Sequence, residues 1–146
     1  MKSLTTPQSL ALLLLRLVVG AVFIWAGTAK WFIWSGVPEG MPALTPTMVN
    51  LTKLLSIVEP LGALALLMGF LTRWAAGGLA IIMTGSLYFV YFMFHAGVFT
   101  SEKGTGMDYN LLILAGCVVL VAFGAGPWSV DRIRNGSSGA LQKNKL

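Results

Sequence analysis

The sequence has little charge, one cysteine and one histidine. Only 10% of its 146 residues are charged, where ordinary soluble domains carry roughly 25%, so there is too little polar surface to cover a water-soluble globule. Cys117 stands alone inside an apolar run. That excludes an internal disulfide and a CxxC relay. Cys117 and His95 cannot by themselves build a metal cluster or a doubly histidine-ligated haem, and no metal is expected. Acidic residues are scarce too, five against ten basic ones. The basic side chains flank apolar runs instead of clustering on a soluble face, which points to lipid headgroups as the anionic partner and away from nucleic acid.

What the chain has in quantity is hydrocarbon, 56% of its residues, for a mean hydropathy of +0.80. A spanning helix needs about 20 apolar residues, and the sequence offers four such stretches, over 10–34, 46–71, 74–95 and 108–125. The expectation is an all-α membrane protein, a four-transmembrane-helix bundle. It forms one domain over residues 1–134, followed by a flexible tail over 135–146 that carries glycine, serine and lysine. Lys2 and the leucines after it resemble a signal peptide. Yet Arg16 interrupts that run and the apolar stretch reaches Trp34, well past a signal core of about 7 to 15 residues, so the segment is read as a retained span. Four spans put both termini on one side. That side holds Lys2, Arg16, Arg73, Arg132, Arg134, Lys143 and Lys145, against Lys30, Lys53 and Lys103 on the other, and the positive-inside rule makes both termini cytoplasmic.

Glu59, next to Pro60 inside the second span, is the residue that most needs explaining. A carboxylate in hydrocarbon costs at least a few kcal/mol, so it requires a neighbour, a proton, or both. Pro60 removes one backbone donor, leaves the carbonyl of Ser56 without its helical partner and favours a kink beside Glu59. On the first span, Arg16, Gly20, Phe23, Gly27, Lys30 and Trp34 fall on one stripe at spacings of three and four. Arg16 and Glu59 form the candidate polar core. A long arginine side chain can nearly bridge the difference in depth, and pairing would relieve both desolvation penalties. On the third span Thr84, Tyr88, Tyr91 and His95 make a polar row. With Lys30, that row is the candidate site for a lipophilic carbonyl compound such as a quinone, with donors for the carbonyl and Glu59 for protons. Glycines seven residues apart, Gly20 with Gly27, Gly62 with Gly69 and Gly78 with Gly85, suggest close helix packing on three faces.

Three blocks carry a resemblance. They are Leu14-Leu15-Arg16-Leu17 with Gly20 and Lys30, Glu59-Pro60-Leu61-Gly62 continuing through Met68-Gly69-Phe70-Leu71-Thr72-Arg73, and Gly126-Pro127-Trp128-Ser129-Val130-Asp131-Arg132. In order and spacing they resemble the DoxX family over nearly the whole chain outside the two outer loops and the tail. The resemblance implies a small four-helix protein of the bacterial inner membrane. Its relatives include the membrane subunit of a thiosulfate:quinone oxidoreductase and members tied to thiol defence under oxidative stress. It carries over Arg16, Glu59 and the cytoplasmic-turn residue Arg73. The expected role is a quinone-facing or anchoring subunit of an oxidoreductase, with a redox partner protein and a second copy of the chain as prospective partners. A non-catalytic assembly or cargo factor that binds other membrane proteins or lipids is the alternative.

Overall fold

A computed structural model describes residues 5–37, 44–94, 97–100 and 106–132. Four helices follow in order: α1 (Thr6–Ala29), α2 (Pro46–Met68), α3 (Thr72–Phe94) and α4 (Asp108–Phe123). A 3-10 turn, Lys30–Trp34, prolongs α1. No strand occurs among the described residues. Three stretches are long and apolar enough to cross a bilayer, 29 residues over Thr6–Trp34, 23 over Pro46–Met68 and 21 over Thr72–Phe92, with the shorter Asp108–Phe123 beside them. The tail over 135–146 lies outside the described residues.

Local chemistry sets the helix ends. Thr5 caps α1, its N–H donating to the Gln8 side chain at 2.9 Å. Thr45 caps α2 by accepting from the Met48 N–H at 3.3 Å, and Pro46 occupies the first helical position. Gly69 caps α2 in the left-handed region (φ 67°), so that the helix ends at Met68, three residues earlier than the apolar run suggests. The Phe70 N–H then bonds back to the Ala65 carbonyl at 2.9 Å, the closing bond of a glycine-terminated helix.

The bundle is held by two close helix pairs, α1 on α2 and α3 on α4. Between helices in lipid there is little hydrophobic driving force, so close approach by small residues matters. A Cβ at Gly27 would overlap the Pro60 ring, and one at Gly20 would fall 2.8 Å from the Leu67 side chain. These contacts fix the antiparallel register of α1 and α2. Gly62 faces Leu79 of α3, and Gly116 of α4 faces Val19 of α1. The glycine expectation fails on α3, where a Cβ at Gly78 or Gly85 would meet nothing within 4 Å. Gly69 ends a helix instead of packing one. Inside lie Leu12, Val19, Phe23, Ala63, Leu66, Leu79, Cys117 and Leu120, while most other leucines and valines look outward, as in a protein dissolved in lipid.

Candidate functional site

The buried charges occupy two separate levels. In the N-terminal half of α1, Arg16 is 2% exposed. One guanidinium nitrogen donates to the carbonyls of Ala125 (2.5 Å) and Trp128 (3.0 Å), and the other to Leu67 (3.3 Å). These acceptors sit where helices end, at the Gly69 terminus of α2 and just past Gly124 of α4, so a fixed cation meets the negative ends of two helices. Asp131 completes this junction. Its carboxylate accepts from the N–H of Leu71 (2.7 Å) and of Thr72 (3.0 Å), capping α3 from a remote segment. The cap also holds Leu71 at φ 46°, a region non-glycine residues rarely adopt. Arg73 donates to the Ala122 carbonyl at 3.1 Å. Arg16 Nε and Thr72 Oγ1 are the buried side-chain atoms without a partner among the described residues.

Glu59 takes a different partner from the expected one. Its Oε2 lies 2.6 Å from Nζ of Lys30, and its side chain is 5% exposed against 29% for Lys30. Arg16 reaches α2 at Leu67, eight residues beyond Glu59, which at 1.5 Å per residue is about 12 Å away along the helix. The antiparallel register pairs the far end of α1 with Glu59, as the closeness of Gly27 to Glu59 Cβ and Pro60 shows. Lys30 Nζ also donates to the Ala26 carbonyl at 3.0 Å. Two of its three N–H groups are thereby used, leaving one for a further acceptor.

Around this ion pair the 3-10 turn is fastened to α2 through Ser56. Trp31 Nε1 donates to the Ser56 carbonyl at 3.1 Å, the acceptor that Pro60 deprives of its helical N–H. Trp34 Nε1 donates to Ser56 Oγ at 3.1 Å, and that hydroxyl donates to the Lys53 carbonyl at 2.7 Å. Lys53 Nζ stands 5.3 Å above the Trp34 ring. Trp31, Trp34, Ser56, Ile57, Pro60 and Leu61 line a cleft of about 300 Å³. Its walls are partly exposed, Trp31 by 58% and Leu61 by 60%, so it opens to the outside of the bundle.

The α3 row stands elsewhere. Tyr88 is 66% exposed and Tyr91 54%. Thr84 Oγ1 donates to its own helix at Ala80. Among the described residues no hydrogen bond joins this row to Glu59, and His95 lies outside them. Thr84 faces outward although α4 lies beside that part of α3, and Tyr88 and Tyr91 stand at and beyond the start of α4. Asn110, in the first turn of α4, already meets Ser86 (3.4 Å), so α3 beyond Tyr88 projects past its partner. Sequence reasoning missed Trp31, Trp34 and Ser56 as a unit. The signal was present in Pro60, whose orphaned carbonyl needs a donor, and in the indoles that follow Lys30.

Helices of this length and apolarity, with Arg16 and Glu59 partnered inside the bundle, define a small multi-pass integral membrane protein. A family model described as DoxX matches residues 11–96. The chain belongs to the DoxX family. It is similar to inner membrane protein YqjF of Escherichia coli (strain K12), with 30% identity over 128 residues, covering 88% of this chain and 95% of that protein. No solved structure matches the chain. It is a multi-pass protein of the inner membrane.

Proposed function

We propose that the chain is a quinone-facing or membrane-anchoring subunit of an oxidoreductase system, of the thiosulfate:quinone or thiol-related oxidative-stress kind. The observation that carries this reading is the Lys30–Glu59 ion pair at 2.6 Å beside an indole-walled cleft open to the outside of the bundle. A flat lipophilic ring fits between aromatic and aliphatic walls, and a ring carbonyl can accept the remaining Lys30 N–H. Reduction of a quinone to a quinol consumes two electrons and two protons. In this reading the electrons come from a redox partner protein, and the ion pair relays protons to the oxygens. Cys117 is fully buried, so thiol chemistry in such a system belongs to the partner.

Titration of the purified protein in lipid nanodiscs with ubiquinone and menaquinone tests the reading. Saturable binding is expected, about tenfold weaker in Glu59→Gln, a change of about 1.4 kcal/mol. Absence of saturable binding to either protein overturns it. The second reading, a non-catalytic assembly or cargo factor, draws on the open face of α3 around Gly78 and Gly85. Photocrosslinking from that face in native membranes, with capture of a stoichiometric client that carries no redox cofactor, would favour it.

A further inference from the structure

We infer that Trp31 is a positioning residue: by taking the Ser56 carbonyl that Pro60 orphans, its indole holds Lys30 on Glu59, the pair being chain neighbours of the cleft-lining Trp31 and Pro60, and so fixes the unused Lys30 N–H for a hydrogen-bond acceptor bound there. Three observations converge on this. Lys30 is the first residue of the 3-10 turn and Trp31 the second, so fixing one indole fixes the backbone that carries the ammonium. Within the described residues, the Ser56 carbonyl has the Trp31 donor in place of the missing helical one. The two indoles bonded to Ser56 are also the cleft's aromatic walls. The gap that Pro60 leaves in the α2 hydrogen-bond ladder and the Lys30–Glu59 pair are therefore tied through one side chain. The polar end that fits is a hydrogen-bond acceptor, such as a ring carbonyl, because the free group on Lys30 is a donor. The identity of that acceptor rests on the quinone reading, whereas the fastening of Lys30 does not depend on it.

A mutant cycle read at Lys30 tests the fastening without any ligand. The readout is the rate at which a membrane-impermeant amine-reactive ester modifies Lys30 in nanodiscs, followed by mass spectrometry of the peptide. Trp31→Phe keeps the ring and loses the N–H, and should raise that rate about fivefold, the shift expected from losing one net hydrogen bond. In a Pro60→Ala background the restored backbone N–H at position 60 can bond to the Ser56 carbonyl, so Trp31→Phe should then change little. Trp25→Phe, at a lipid-facing position 78% exposed, should leave the rate unchanged and serves as the control. An equal rise in both backgrounds, or no rise in either, overturns the inference.

The acceptor half is read by infrared difference spectra of carbonyl-labelled ubiquinone. Glu59→Gln is compared with Glu59→Gln/Lys30→Met, so that the more deeply buried Glu59 carboxylate is never left without Lys30. A hydrogen-bonded carbonyl band in the first that returns to the free position in the second is expected. Saturable binding with identical bands removes Lys30 as the donor and leaves the quinone reading standing. Absence of binding removes the quinone reading, and the labelling cycle still decides the fastening.

Discussion

Arg16 shows how a single residue can be indispensable without touching a ligand. Its three carbonyl acceptors belong to two helix ends and to the segment after α4. Removing the guanidinium would leave those acceptors buried and unbonded, at a cost of about 1–3 kcal/mol for each that finds no substitute. Arg16→Met should therefore lower the unfolding temperature in detergent strongly. Arg16→Lys should recover little of it, because an ammonium is a compact point charge that cannot spread over three divergent carbonyls. Full recovery by lysine would mean that charge alone, not the planar fork, holds the junction. Glu59 differs in kind. Its pair with Lys30 lies beside a cleft, so substitutions there should affect binding as well as stability.

At the scale of helices, the α1–α2 contact divides the glycines into two groups. Gly27→Ala drives a methyl into the ring of Pro60, which cannot rotate away, so the helices must separate at a cost of about 1–3 kcal/mol. Gly20→Ala meets the flexible end of Leu67 at 2.8 Å and should cost less. Gly78→Ala and Gly85→Ala meet nothing within 4 Å and should match or exceed the parent in thermal unfolding, since alanine is the better helix former. If Gly78→Ala destabilises as much as Gly27→Ala, that face of α3 is covered by a partner in the sample. The same contrast shows what the residues announced in advance. Hydropathy located every helix to within a few residues, and the cost of a carboxyl in lipid singled out Glu59. Period alone could not tell a glycine that packs from one that faces lipid, because both give the same spacing. Nor could it pick the partner of Glu59, which follows from the register of α1 on α2 and hence from where Gly27 meets Pro60.

For the whole molecule, the three sequence blocks that resemble the family converge on the junction around Arg16. The guanidinium, the Gly69–Thr72 turn and the Ala125–Asp131 segment all meet there. Part of the shared pattern therefore maintains the bundle, while Lys30 and Glu59-Pro60-Leu61 carry it to the other end, where the cleft adds Trp31, Trp34 and Ser56 from outside the three blocks. This bears on whether the shortest helix crosses the membrane. At 16 residues, α4 covers about 24 Å of a hydrocarbon core near 30 Å. However, its end is fastened to the junction, through Arg73 on Ala122 and Arg16 on Ala125, and its start meets the upper half of α3 at Ser86. It thus runs nearly the full depth of the bundle, with Ala125 and Gly126 extending the crossing. With the excess of basic residues on the side of both termini, the expected layout is cytoplasmic at each end. Alkaline phosphatase, which matures only outside the cytoplasm, should be active when fused after Val37 or Thr100 and inactive after Arg73 or Arg132. Activity after Arg132 with the other three as expected would show that α4 re-enters instead of spanning. Arg16 would then have to be satisfied by groups on a segment that does not reach its side of the membrane, which the 2.5 Å contact with Ala125 does not allow.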